Sequence, residues 1–165
     1  IGNTNKFLAD VYADSLTAFF EFDGDSNNYT LTIDPDNTFG ADGSDLNVVA
    51  TGSSNTFTLD LGTTGLASNT DLDWIINGDS NTFDFDINYD GATNYVDVDG
   101  NSNNVNFTGS GYAGGYFYLD QTGNSRTFNV IQSSTLAADW LQINSTGSNG
   151  TICVVQNDGG TTTSC

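Results

Sequence analysis

The sequence predicts an all-β fold: a β-solenoid of about seven stacked strand-turn-strand coils, each of about 24 residues. A Gly-x-x-Asn segment recurs along the chain, and apolar residues stand at alternate positions on both sides of it. Gly, Asn, Asp and Thr are abundant, and these residues are poor helix formers. An aromatic content of 12% supports a folded core rather than disorder.

Each repeat begins at a glycine, which in five copies is followed three residues later by asparagine. The five pairs are Gly2 and Asn5, Gly24 and Asn27, Gly52 and Asn55, Gly78 and Asn81, and Gly100 and Asn103. Two weaker copies begin at Gly123 and Gly147. We predict that this segment is a turn joining two strands, and Gly and Asn suit it because both tolerate a positive φ.

Apolar side chains follow each glycine five and seven residues later, the alternation typical of a strand with one buried face. The residues five positions after the glycines form a predicted core ladder: Phe7, Tyr29, Phe57, Phe83, Val105, Phe128 and Ile152. A second alternating strand precedes each glycine from Gly24 onwards, with Val48 and Ala50 as one example. Such units bury a continuous core only when they are stacked, so residues 1–165 are predicted to form a single solenoid domain. An antiparallel sandwich is the alternative fold.

The repeat resembles that of curlin, the subunit of bacterial curli fibres. The curlin pattern Gln-x-Gly-x-x-Asn-x-Ala-x-x-x-Gln is matched best by Gln121, Gly123 and Gln132, while Arg126 and Phe128 depart from it. Curlin interiors carry Gln and Asn ladders, whereas this interior is predicted to be mainly aromatic and aliphatic. The resemblance implies an extracellular fibre subunit built of two-strand coils whose ends pair with neighbouring subunits.

The two ends of the repeat array show neither a capping helix nor a charged, proline-rich coil. Open solenoid ends expose unpaired N–H and C=O groups that can template another chain. We therefore expect the protein to be its own partner, in an open head-to-tail filament. The alternative is that solvent or loops such as residues 34–45 cover the ends.

Composition excludes several function classes. The chain has 2 Lys and Arg residues, 21 Asp and Glu residues, no His and a net charge of −19, so it lacks a basic surface for nucleic acid. No apolar run is long enough for a transmembrane helix. Without His, the chain has no base for a Ser-His-Asp or Cys-His mechanism and no imidazole for zinc. We expect no enzyme activity and no bound cofactor.

Several aspartates share an offset from their glycines and should therefore stack on neighbouring coils. A solvated acidic face explains them most simply, but bridging by Ca²⁺ is a weak second interpretation and a glycosidase pair a weaker third. The candidate calcium ligands are Asp60, Asp84, Asp86, Asp97 and Asp120.

Outward aromatic residues suggest a second class of function. Tyr95 and Tyr118 share one offset, and Trp140 lies nearby in the repeat. A stripe of such rings could make a lateral contact or stack on carbohydrate, as in a non-filamentous cell-surface or viral binding module.

The two cysteines and the first residue bear on location. Cys153 and Cys165 could form a C-terminal clasp, worth about 3 kcal/mol in the chain-entropy model, or bonds between subunits. The chain begins at Ile1 and contains no Met, which suggests a removed secretory signal or an ordered fragment. We expect an extracellular location, secreted or at the cell surface.

Overall fold

The computed structural model describes residues 2–12, 15–33, 42–62, 67–111, 114–134 and 139–156. Over these ranges the chain is all β and contains no helix, so none is present to cross a membrane. The strands are β1 (Lys6–Val11), β2 (Thr17–Asp23), β3 (Asn28–Ile33), β4 (Asp45–Thr51), β5 (Thr56–Leu61), β6 (Ala67–Ser68), β7 (Asp71–Asn77), β8 (Thr82–Asp90), β9 (Thr93–Asp99), β10 (Asn104–Gly111), β11 (Tyr116–Thr122), β12 (Thr127–Ser134), β13 (Trp140–Thr146) and β14 (Thr151–Gln156).

The strands stack into two facing sheets, and we call each strand in a stack a rung. Sheet A has the order β1-β3-β5-β8-β10-β12-β14, and sheet B has the order β2-β4-β7-β9-β11-β13. The short β6 pairs with the end of β8. Every pairing among the described strands is parallel, which confirms the predicted β-solenoid over the antiparallel sandwich. The described solenoid thus has seven rungs in sheet A and six in sheet B.

The core lies between the sheets and is built by alternate residues of each strand. Inward aromatic rings stack from rung to rung in sheet A, with centroids 4.8 Å apart for Tyr29 and Phe57 and 4.9 Å apart for Phe57 and Phe83. This spacing follows from the separation of about 4.8 Å between strands in a sheet. Val105 and Phe128 continue the ladder as buried residues.

The interior becomes polar towards the last coils. Gln121 and Gln132 are fully buried, and Gln156 Nε2 donates a hydrogen bond to Gln132 Oε1 at 2.9 Å. Burial of these amides is tolerated where they bond to one another or to carbonyl groups.

The two long edges of the solenoid differ. From a strand of sheet B to the next strand of sheet A the chain always passes through four residues, as at 52–55 and 78–81. The connections from a strand of sheet A to the next strand of sheet B vary in length. The shortest has two residues, at 91–92, and the others are longer. The long connection predicted at residues 34–45 falls mostly outside the described residues, which resume at 42.

Candidate functional site at the turns, faces and ends

The four-residue turns use a positive φ at two positions. Gly52 and Gly78 have φ values of 128° and 147°, and the third residue of each turn is also positive, as in Ser54 and Ser80 at 60°. No asparagine at the fourth position has a positive φ within the described turns. The prediction that asparagine is favoured at the fourth position because it tolerates a positive φ is therefore wrong.

The fourth-position asparagines instead form a buried hydrogen-bond ladder. The backbone N–H of Asn55 donates to Asn81 Oδ1 at 2.8 Å, and Asn55 Nδ2 donates to Gly24 O at 2.9 Å. The same backbone bond joins Asn5 to Asn27, Asn27 to Asn55, and Asn81 to Asn103. The side-chain oxygens of Asn27, Asn55, Asn81 and Asn103 thus accept a backbone N–H of the turn before, and the Nδ2 groups of the last three also donate to a glycine carbonyl.

A second ladder, which the sequence analysis missed, runs along the exposed side of the turns. The second turn residue accepts a bond from the backbone N–H of the next turn, as from Ser53 to Asp25 Oδ1 at 2.7 Å and from Asn101 to Asp79 Oδ1 at 2.6 Å. Asn124 and Ser148 continue it. The signal was a side chain with an oxygen acceptor at this position in every copy.

The first turn residue must be glycine because the turns touch there. A Cβ atom added at Gly78 would lie 2.0 Å from the carbonyl oxygen of Gly52, and the same contact recurs from turn to turn. Gly2, Gly24, Gly100, Gly123 and Gly147 occupy the equivalent positions of the column.

Arg126 stands where the asparagine ladder stops, and it is buried. Its Nη1 donates to Thr146 O at 2.9 Å, to Gln121 O at 3.5 Å and also to Gln121 Oε1. Burial lowers the pKa of its guanidinium. The positive charge of Arg126 is thus held by carbonyl oxygens on two coils.

The structure places the candidate acidic residues in pairs on the outer faces. Asp60 lies beside Asp86 on sheet A, with Asp84 two residues before Asp86, and Asp97 lies beside Asp120 on sheet B. Burial first, and neighbouring carboxylates second, raise the pKa values of Asp60, Asp86 and Asp97. The described residues hold no group of three or more Asp, Glu, His or Cys side chains placed to bind a metal ion.

Aromatic side chains lie together on the outer face of sheet B. The rings of Tyr95 and Tyr118 stack with centroids 4.9 Å apart, and Tyr118 Oη accepts a hydrogen bond from Asn144 at 2.6 Å. The rings of Tyr116 and Trp140, both exposed, lie 5.4 Å apart. We call these four rings the aromatic patch.

The first coil leaves inward aromatic residues partly uncovered. Phe7 on β1 and Phe20 and Phe22 on β2 are half-buried, although they occupy inward positions that are buried in the middle coils. Together with Tyr29 they line a hollow at this end of the solenoid.

The last coil leaves inward aliphatic residues uncovered. Ile152 and Val154 on β14 are 48% and 41% exposed, whereas Phe128 and Val130 beside them on β12 are buried. Leu141 and Ile143 on β13 are half-buried. Both ends of the described solenoid therefore present apolar surface next to a strand edge.

Cys153 lies half-buried on the outer face of β14, beside Asn129. Cys165 lies outside the described residues, so the bond between the two cysteines stays a prediction.

Comparison with protein-family models, with curated proteins and with solved structures finds no match to this chain. The resemblance to curlin therefore rests on the repeat motif of the sequence.

Proposed function

We propose that this protein is an extracellular structural protein, the subunit of a curli-like filament formed by head-to-tail stacking of solenoid ends. The filament would serve surface structure, adhesion or a biofilm matrix. The observation that carries the proposal is that both end coils of the described solenoid have an unpaired strand edge next to inward apolar residues that are half-buried or exposed.

Backbone pairing supports end-to-end contact. Within the described residues, β1 and β14 are the outer strands of sheet A, and β2 and β13 are the outer strands of sheet B. Each offers a row of N–H and C=O groups on one edge, which pairs readily with another parallel strand. Since the solenoid already repeats one strand pairing, a second copy can continue the stack with the same geometry.

Side-chain burial favours the same contact. Phe20, Phe22, Ile152 and Val154 would become covered as their counterparts are in the middle coils. Burying apolar surface stabilises association by about 25 cal/mol per Å² of area removed from water. The net charge of −19 opposes sideways packing of filaments more than end contact, because the aspartates lie on the outer faces.

We propose an extracellular location and a structural rather than catalytic role on the grounds of composition. The acidic, Asn- and Thr-rich chain with two cysteines suits an oxidising exterior. A bond between Cys153 and Cys165 would act there as a clasp on the last coil or as a link to the next subunit.

A second candidate function is a cell-surface or viral binding module, and the aromatic patch is the observation that favours it. Tyr116 and Trp140 are both exposed, and exposed rings contact carbohydrate and protein partners through their apolar faces. In this case the protein would stay monomeric or form a small closed oligomer.

Negative-stain electron microscopy of the purified chain, with and without reductant, tests the proposal. The unmodified chain should form long unbranched fibres. Val154→Asp should abolish them, because a charge would be buried at the subunit contact. Ile75→Asp is the matched control, since Ile75 is 43% exposed on the outer face of a middle rung and Val154 is 41% exposed.

Discrete particles at every concentration would overturn the filament and leave the binding module. Fibres that persist in Val154→Asp would show that assembly uses another surface. Loss of fibres on reduction would place the cysteines at the subunit contact.

A further inference from the structure

The outer face of sheet B carries several carboxylates but, among its described strands, no basic residue. Three successive rungs of this face hold five aspartates in outward positions: Asp71, Asp73, Asp97, Asp99 and Asp120. The two basic residues of the chain lie elsewhere, since Lys6 belongs to β1 in sheet A and Arg126 is buried. The negative charge of this face is therefore not balanced by a cationic side chain of the same face.

Two aligned pairs on β7 and β9 bring two of these carboxylates against a ring and an aliphatic side chain. Tyr95 lies beside Asp73, and Asp97 lies beside Ile75. We call these four residues the β7–β9 quartet. Asp73 and Ile75 are exposed, and Tyr95 and Asp97 are half-buried. The quartet thus combines negative charge, an aromatic ring and exposed apolar surface in one small area.

One face of the Tyr95 ring is covered by another ring, and the opposite face points towards Asp73. The rings of Tyr95 and Tyr118 stack with an interplanar angle of 10° and centroids 4.9 Å apart, so both ring planes lie across the solenoid axis. The second face of Tyr95 is therefore directed at the rung before it, where the aligned residue is Asp73. Because an aspartate side chain is much shorter than a tyrosine side chain, the outer part of the ring extends beyond the carboxylate. A planar cation can lie against this face directly above Asp73.

Negative charge surrounds the hydroxyl group of Tyr95. Burial first, and then Asp97, Tyr118, Asp120 and Asp73, raise the pKa of this hydroxyl. Two neighbouring carboxylates likewise raise the pKa of Asp97, after burial. Since these carboxylates repel one another, a positive group placed among them would be attracted by all of them.

An arginine side chain fits the quartet better than a lysine side chain or a metal ion. A guanidinium is planar, stacks on aromatic faces and pairs with carboxylates through its fixed fork of N–H groups. It can therefore lie on Tyr95 while it donates to Asp73 and Asp97. Its methylene stem can pack on the exposed Ile75. An ammonium group has no flat surface to stack, and the described residues hold no group of three or more side chains placed to bind a metal ion.

We propose that the outer face of sheet B binds a basic, arginine-containing segment of another protein, with one guanidinium held in the β7–β9 quartet. Charge complementarity identifies this partner, because the chain has a net charge of −19 and a basic segment carries the opposite sign. The exposed rings of Tyr116 and Trp140, on the two following rungs, offer apolar surface for neighbouring residues of the segment. The inference does not depend on the filament, since the outer face of these rungs stays open whether or not copies stack end to end.

Calorimetric titration with a short peptide that alternates arginine with glycine tests the proposal. At low ionic strength, Asp73→Asn/Asp97→Asn should weaken binding about threefold to tenfold. Asp84→Asn/Asp86→Asn is the matched control, because it removes the same charge from outward positions of sheet A whose outward neighbours on both adjoining rungs are not aromatic. The control should weaken binding less than about twofold, as expected for a more distant charge.

Two further titrations separate the stacked guanidinium from general charge attraction. Tyr95→Leu, with every carboxylate kept, should weaken binding of the arginine peptide about twofold to fivefold. The lysine counterpart of the peptide should bind the unmodified chain more weakly than the arginine peptide does. Equal losses in the two double variants, or equal affinities of the two peptides, would overturn the site. Absence of binding, or preference for a neutral glucan oligosaccharide, would overturn the choice of partner. Absence of fibres in microscopy would refute the filament and leave this inference unaffected.

Discussion

The guanidinium of Arg126 lies directly against Gly150 on the next turn. A Cβ atom added at Gly150 would stand 3.4 Å from Arg126 Nη2 and 3.7 Å from Nε. In the earlier turns both positions hold the asparagines of the buried ladder. One long side chain thus stands in place of two short ones, and its Nη1 donates a hydrogen bond to Thr146 O at 2.9 Å.

This relationship predicts coupling between the two positions. Arg126→Asn should destabilise the last coils because the hydrogen bonds from Arg126 Nη1 to Thr146 O and to the two oxygens of Gln121 are lost. Gly150→Asn should destabilise them because its amide meets the guanidinium. The double variant should restore the ladder and lose about 1–2 kcal/mol less than the sum of the single losses. Urea unfolding of the four proteins measures this coupling, and additive losses would contradict it.

The close approach of the turns predicts a severe effect of Gly78→Ala. The new methyl group would meet the carbonyl oxygen of Gly52 at 2.0 Å, and the backbone would have to move. Gly91→Ala is the control, because φ there is 81° but the nearest atom is 3.7 Å away. We expect Gly91→Ala to cost about 1–2 kcal/mol, the penalty of a left-handed backbone, and Gly78→Ala to cost more. Equal losses in thermal unfolding would refute the contact.

The asparagine ladder predicts a loss of stability in Asn81→Ala. The substitution removes the acceptor of the Asn55 N–H, which is buried, and the donor to Gly52 O, which is partly buried. An unsatisfied buried group costs about 1–3 kcal/mol. Asn77→Ala, on an exposed side chain of the same coil, should change the free energy of unfolding much less. Denaturant titration compares the two variants.

The alternation of inward and outward residues predicts opposite results at adjacent positions. Phe83→Asp should unfold the middle coils, because Phe83 is fully buried and an unpaired charge cannot be accommodated there. Asp84→Asn should be tolerated, because that side chain is exposed. Circular dichroism and sedimentation report both outcomes, and a stable Phe83→Asp variant that still assembles would overturn the assigned inward face.

The acidic pairs predict that stability rises on mild acidification. The pKa values of Asp60 and Asp86 are raised above the ordinary 3.8 in the folded protein, chiefly by burial. Their stabilising contribution is therefore fully present below pH 3.8 and is lost as the pH rises through the raised values. The urea midpoint should be higher near the raised pKa values than at pH 7. The Asp60→Asn/Asp86→Asn variant should flatten this dependence, and an unchanged slope would contradict the assignment.

The repeat made the fold predictable from the sequence. The physical role of the fourth-position asparagine could not be predicted in the same way. Gly78 and Phe83 are recognisable because backbone freedom and alternation leave signals within a single copy. The role of Asn81 depends on its neighbours one coil away, and the asparagine could equally have served as a turn former. Its ladder becomes visible only when the coils are stacked.

At the ends of the described solenoid, the sequence likewise predicts which residues point inward but not whether they are buried. That Ile152 belongs to the inward column is readable from its distance to Gly147. Its exposure follows instead from the lack of a covering rung among the described residues, which is a property of the stack. The pairing of Arg126 with Gly150 was likewise hidden, since each looked like an isolated departure from the motif.

The two edges of the solenoid have different roles. One edge has constant four-residue turns, and the other has connections of variable length. Hydrogen bonds and steric contacts fix the length of every turn, whereas the opposite edge already accommodates different lengths. A peptide epitope or an enzyme inserted at residues 91–92 would therefore leave the turn column untouched. The variable edge is the natural place for display, where added sequence would accumulate without altering the stacking of coils.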